Sequence, residues 1–443
     1  MRRCLWFTIA SLIAVGMAGC FGGDDAPDER VEQGRTVAPG QPKVKVAWVR
    51  RKGKTHYQRT GAITYCTDTA SAARRQAVDR FNASYNPGEP VRVMRVGGDT
   101  WSQYDTFVKR LHECDVFDAD VIATGALADK RLVYDMSPYV ERRRDQFVGN
   151  AVRTACYGTK FWGVPHSTNV GLLFFRTDRR AQAPSTWQEA YRSLAFQGGA
   201  DEGLTVNFLE LAVAAGGRVL TRDGTSAVLD REPNLKALTL MVAAVKNSTA
   251  IPVNGEVATA KVFRSGETDL MRNWPVVYQR KYWDEPGPAL SRRQVRIAPL
   301  PLFENAGVAG VLGGANLVIS IKSRNPAAAL AFVDFLTTLR EQRRSLAQFE
   351  PPAIGEAYKQ APRSFALELG DYGNEFLREL RRAVNQATPR PVFPAYRRVS
   401  AAIATNVRRA LDDKASPEEA LATAHDKIDE IVRKVPEVAP CTG

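Results

Sequence analysis

Short apolar runs alternate with segments of helical periodicity from about residue 61 to residue 435. Residues 62–65 read as a brief strand. In 72–85 the apolar positions Ala73, Ala77, Val78 and Phe81 recur as one face of a helix. Residues 91–96 alternate as a strand does, 106–111 turn helical, and 119–123 form an apolar run with one aspartate in it. Farther on, 185–188 after Pro184 carry a capping signal, with Ser185 as cap and Gln188 answering it. Residues 204–215 are apolar enough for a buried helix stopped by Gly216-Gly217. Residues 257–264 predict a helix closed by Gly266, followed by a strand over 268–272 that ends at Asn273-Trp274-Pro275. Asn325-Pro326 opens a helix with Leu330, Val333 and Leu336 on one side, and Ser416 to Glu419 form a capping box for the last helix. Strands alternating with helices predict an α/β fold with parallel strands and crossover helices.

The first residues follow another pattern. Met1-Arg2-Arg3 precedes a 13-residue apolar run, 5–17. A membrane span needs about 20 residues, so 1–19 read as a secretory signal. Met17-Ala18-Gly19-Cys20 closes it. This quartet resembles the lipobox of bacterial lipoproteins, which implies cleavage before Cys20 and lipid on its thiol. Residues 21–42 are rich in Gly, Asp, Pro and Gln and lack apolar period, so 20–60 read as a tether, with 436–443 as a C-terminal tail.

Charge and cysteines refine the picture. The net charge is +13, and residues 1–61 supply +6 of it, with most of their basic residues between Lys43 and Arg59. That stretch reads either as a solvated tether or as an arm lying on anionic lipid or wall polymer. No nucleic-acid-binding motif accompanies it. Apart from Cys4 and Cys20 there are Cys66, Cys114, Cys156 and Cys441. In an oxidising compartment four cysteines suggest two disulfides, with three possible pairings. The pairing expected here is Cys114–Cys156 with Cys66–Cys441, the first closing a loop of about 42 residues worth roughly 4 kcal/mol. Scattered histidines and the lack of a CxxC pair argue against a metal site. No P-loop, G-x-S-x-G or H-E-x-x-H occurs, and Ser167 beside His166 is a poor catalytic pair, so an enzyme is not expected.

Seven segments then appear in a telling order: ADVIA at 119–123, WGVPHSTNVGLLFFRTD at 162–178, PSTWQEAY at 184–191, FRSGETDLMRNWP at 263–275, GVLGGANLVIS at 310–320, RPVFPAYRRVSAAI at 390–403, and the final capped helix. In sequence and order they resemble the carbohydrate-binding proteins of bacterial ABC importers, with the trehalose/maltose-type subgroup nearest. The resemblance covers about 61–435. It implies a two-lobe periplasmic-binding-protein-like α/β fold, with a hinge crossed more than once and the ligand in the cleft between lobes. Lobe 1 would hold 61–165 plus 313–360 and lobe 2 would hold 166–312 plus 361–435, with crossings near 164–169, 310–314 and 360. It also implies a cofactor-free, monomeric protein that delivers a sugar to permease subunits from the outer face of the membrane. The same fold holding a non-carbohydrate solute, or serving as a ligand sensor without transport, are the alternatives.

A sugar site needs carboxylates and amides that pair with hydroxyls, and an aromatic face for the C–H side. The family pattern makes Trp274 the platform. Asp120, costly inside an apolar strand, is a hydrogen-bonding candidate, as is Asn169 at the first crossing. Asp68 and Thr69 follow the first strand, in a loop that contacts ligand in relatives. Gly313 and Gly314 would admit close backbone approach. Glu256 and Arg390 match polar contacts of the trehalose-type subgroup. Most relatives carry an aromatic where this chain has Ala123, which leaves Trp101 as a replacement platform.

Overall fold

In the computed structural model the described residues are 61–68, 71–85, 88–221, 224–283, 290–303 and 309–439, with the backbone of 48–51 and 54–57. Fifteen strands are present among them. Trp48–Arg51 (β1) and Lys54–Tyr57 (β2) pair as a hairpin of their own. Thr64–Thr67 (β3), Arg92–Arg95 (β4), Val116–Asp120 (β5), Cys156–Tyr157 (β6), Lys160–Phe161 (β7) and Val164–Val170 (β8) come next. Leu172–Arg176 (β9), Leu194–Gln197 (β10), Ala250–Val253 (β11), Leu270–Asn273 (β12), Val295–Pro299 (β13), Val311–Ile319 (β14) and Thr388–Pro389 (β15) complete the set.

The strands build one sheet for each lobe of a two-lobe α/β protein. The first has order β15-β14-β5-β3-β4, with β8 also on β14. Its β3, β4 and β5 are parallel, while β14 runs antiparallel to both β5 and β8. The second has order β11-β10-β12-β9-β13. β8 ends at Val170 and β9 begins at Leu172, so Gly171 is the residue between the sheets on this passage.

Local rules account for most elements. The helix Ala72–Tyr85 (α1) buries Ala73, Ala77, Val78 and Phe81, the face its spacing predicts. Glu202–Ala214 (α2) is capped by Asp201, whose side chain accepts from the Gly203 amide. It is apolar nearly all round because neighbours enclose it: Glu232–Lys246 (α3) and, later in the chain, Tyr396–Leu411. Glu256–Ser265 (α4) stops at Gly266, whose φ of +86° is left-handed. Pro326–Leu336 (α5) packs on the first sheet, while Tyr396–Leu411 (α6) and Pro417–Arg433 (α7) pack against each other and α3. The capping box of α7 is complete: Glu419 N–H donates to Ser416 Oγ and the Ser416 amide donates to the Glu419 carboxylate. The largest core cluster runs from Tyr65 and Ile319 under the first sheet to Phe174 and Ile297 in the second.

Three expectations change. The first-half capping residue of Trp187–Ala190 is Thr186, which accepts from the Glu189 amide; Ser185 lies one residue too early. The apolar run 119–123 is a strand only to Asp120, after which Val121–Ala123 coil into a 3₁₀ turn. The disulfide pairing is also different. Cys66 bonds Cys114, with Cα atoms 5.9 Å apart, so neither Cys114–Cys156 nor Cys66–Cys441 forms. The reason is topological: β3 carries Cys66 and pairs in parallel with β5, and Cys114 lies just ahead of β5. Cys156 is disulfide-bonded as well. Cys20, Thr69 and Cys441 lie outside the described residues.

Candidate ligand cleft between the two sheets

Asp120 closes β5 and does three things at once. Its carboxylate accepts from the Ile122 amide at 3.1 Å, from the Thr100 hydroxyl at 3.2 Å and from Arg390 Nη2 at 3.4 Å. An aspartate is tolerated at the end of this apolar strand because it caps the turn that follows. Arg390, just beyond β15, is buried, with 4% of its side chain exposed. Its other terminal nitrogen donates to Glu202 Oε1 at 2.5 Å, at the start of α2. Tyr396 Oη donates to the same oxygen at 3.0 Å, and Ser400 also donates to this carboxylate. Burial alone would lower the guanidinium pKa, but Asp120 and Glu202 hold it above its ordinary value. Burial pushes the Glu202 carboxyl up, and Arg390 offsets that only in part. Arg390 Nε is buried and has no partner among the described residues.

Asn169 and Gly313 lie beside this bridge. They are register partners on β8 and β14. A Cβ on Gly313 would come 3.3 Å from Arg390 Nη2 and 3.6 Å from the Asn169 Cβ. Gly314, with φ of +116°, has a different task. A Cβ there would meet the Ser167 carbonyl oxygen at 2.2 Å, so the close approach this glycine admits is between strands. The β8–β14 register shifts at the next pair, Ala315/Asn316.

On the second sheet Trp274 follows β12 and is half-buried. Its ring lies 3.9 Å from the Arg272 guanidinium carbon, a cation–π stack. Arg272 is itself locked. It donates to both Glu210 oxygens at 2.7 and 2.5 Å and to Gln197 Oε1 at 2.8 Å, and both charged side chains are buried to 1% or less. Gly171 passes directly over this pair: a Cβ would lie 2.2 Å from Glu210 Oε1 and 2.7 Å from Arg272 Nη2. The crossing between sheets therefore sits against the group that positions Trp274.

A third cluster surrounds Tyr282. Burial pushes its phenol up, and the carboxylates of Glu256, Asp68 and Glu350 add to the shift. Asp68 follows β3 of the first sheet, whereas Glu256 opens α4 between β11 and β12 of the second. Glu350 accepts from Ser71 Oγ at 2.7 Å and lies 4.0 Å from Arg74. Arg74 continues inward to Asp118, which also takes His166 Nδ1 at 3.0 Å, Tyr65 Oη at 3.3 Å and Thr67 Oγ1 at 3.3 Å. Burial would raise the Asp118 carboxyl, but Arg74 and His166 win and hold it well below the usual carboxylate range. His166 is thus engaged with Asp118 and not with Ser167.

Two groupings of the predicted residues emerge: Asp120, Asn169, Gly313 and Arg390 at the sheet junction, and Asp68 with Glu256 near Tyr282. Trp274 joins the junction through Arg272. Trp101 lies 6.0 Å from the Tyr104 ring and 6.5 Å from the Tyr396 ring, in a packed aromatic set. Ala123 is buried, so that position offers no surface. Sequence reasoning passed over Glu202, Glu210, Arg272, Glu350 and Tyr282. Two of these carried a signal. Glu210 is the one charge within 204–215, and Arg272 is the one charge in β12; opposite lone charges in two buried elements point to an ion pair. No group of three His, Cys, Asp or Glu able to hold a metal occurs among the described residues.

Comparison with known proteins agrees with this architecture. The family described as bacterial extracellular solute-binding protein matches residues 67–343. A probable ABC transporter-binding protein of Deinococcus radiodurans is 24% identical over 373 residues, covering 77% of this chain and 86% of that one. Maltose-bound MalE3 of T. maritima superposes with a TM-score of 0.73 at 24% identity, over 84% of this chain and 99% of the other. UgpB from Mycobacterium tuberculosis in complex with glycerophosphocholine gives 0.71 at 16% identity, over 84% and 98%.

Proposed function

Since the chain belongs to the bacterial extracellular solute-binding protein family, we propose that it captures a carbohydrate, a disaccharide such as trehalose or maltose, and hands it to the permease subunits of an ABC importer. In this reading Cys20 carries the lipid that keeps the protein on the outer face of the cell membrane. Each lobe carries one of the two sheets, and ligand draws them together.

The observation that carries the reading is the setting of Trp274. A tryptophan held against a buried, fully bonded arginine is a rigid aromatic surface at the passage between sheets. Around the same junction stand the Asp120 carboxylate, the Asn169 amide and the unpartnered Nε of Arg390, groups that pair with sugar hydroxyls. A buried donor without a partner costs about 1–3 kcal/mol, which a ligand oxygen would recover.

A phosphodiester is the second reading, favoured by the likeness to the structure solved with glycerophosphocholine. The charges argue against it. The Glu256 carboxylate acts on the Tyr282 phenol and raises it, and an anion entering beside Glu256 would be repelled. Calorimetric titration with trehalose, maltose and glycerophosphocholine separates the two. We expect heat from a disaccharide, at least about tenfold weaker binding in Trp274→Ala, and an unchanged circular dichroism spectrum. Binding of glycerophosphocholine alone would refute the carbohydrate reading. Full affinity in the variant would remove Trp274 from the site.

A further inference from the structure

Within the basic stretch ahead of the body, residues 48–51 and 54–57 have a defined backbone. β1 and β2 pair antiparallel, with Trp48 in register with Tyr57, Val49 with His56, Arg50 with Thr55 and Arg51 with Lys54. They join neither large sheet. An isolated two-stranded hairpin is marginal in water, and like charges directly opposite each other destabilise it further. The Arg51–Lys54 pair is of that kind. From Lys43 to Arg59 the chain holds seven Lys or Arg and no Asp or Glu. Nothing in the hairpin's own sequence neutralises it.

The register sorts the residues along its length. Arg50, Arg51 and Lys54 lie toward the end joined by Lys52-Gly53, and the aromatic pair Trp48–Tyr57 lies at the open end. Basic residues near a membrane surface gain from anionic lipid, and Trp and Tyr settle at the headgroup level. A wall polyphosphate would meet the charges but offers nothing to the aromatic pair. The place of the hairpin in the chain fits as well. Twenty-seven residues separate Cys20, the expected lipid site, from Trp48.

From these observations we infer that the hairpin 48–57 is a docking surface for anionic phospholipid, and holds the solute-binding body close to the membrane where a permease would meet it.

The test uses the mature chain with Cys20→Ala, so that a covalent anchor makes no contribution and its presence or absence cannot decide the result. Co-sedimentation is measured with vesicles of phosphatidylglycerol and phosphatidylcholine against phosphatidylcholine alone, and with soluble poly(glycerol phosphate). We expect binding to the anionic vesicles that weakens with salt. Each basic residue is worth roughly fivefold at such a surface. The quadruple variant Arg50→Gln, Arg51→Gln, Lys52→Gln, Lys54→Gln should therefore lose roughly a hundredfold or more, while its thermal melting stays that of the parent. Equal binding to both vesicle types, full binding by the variant, or binding to the polymer without binding to vesicles would each overturn the inference.

Discussion

Replacing Arg272 by methionine would strand the Glu210 carboxylate in a buried site, since Arg272 donates to both of its oxygens. Breaking a buried pair from one side costs about 3–5 kcal/mol, whereas removing both charges is far milder. Arg272→Met should therefore lower the urea midpoint strongly, and Arg272→Met with Glu210→Leu should recover much of the loss. If the double variant is no better than the single, the pair is not the source of the effect. The pH behaviour of Asp118 follows from its depressed carboxyl. A depressed acid contributes stability above its unfolded value of about 3.9, and loses it as pH falls through the folded value. The stability gap between the wild type and Asp118→Asn should thus be largest near neutrality and shrink below about pH 4. Glu202 and Glu210 act in the opposite sense, since their carboxyls are pushed up by burial: their contribution is fullest in acid and is lost as pH rises through the folded values. A gap for Asp118→Asn that widens in acid would contradict the assignment.

At the level of elements, the Cys66–Cys114 bond ties β3 to the approach of β5 and closes a separation of 48 residues. Loop entropy makes this worth about 4 kcal/mol. The double variant Cys66→Ala, Cys114→Ala should lose about 2–4 kcal/mol of stability, and peptide mapping without reductant should recover a Cys66–Cys114 cross-linked fragment. A fragment joining Cys114 to Cys156 would contradict the structure. Periodicity disclosed α1, α2 and α7 because their faces are set by neighbours a turn away, and the Ser416 box is local chemistry. What stayed hidden was nonlocal. The strand ending at Asp120 could not be told from a longer one, since Val121-Ile122-Ala123 are as apolar as the strand itself and turn only because Asp120 caps them. Strand order decided the disulfide, and strand order is not written in cysteine spacing. Gly171 is required by Glu210 and Arg272, residues 39 and 101 positions away, so nothing near it announced its role.

For the molecule as a whole, the two sheets hold complementary halves of the candidate site. Asp68, Asp120, Asn169 and Gly313 belong with the first, and Glu256 and Trp274 with the second. The family pattern in the sequence named most of these residues, but their supports, Glu202 under Arg390 and Glu210 under Arg272, became visible only once the helices were in place. A solute that needs contacts from both halves favours whichever arrangement brings them together, by its differential affinity. Small-angle scattering of the mature protein, without ligand and then with saturating trehalose or maltose as calorimetry directs, measures this in solution. A smaller radius of gyration is expected in the presence of the bound disaccharide. An unchanged radius at saturation would contradict capture by closure of the two lobes.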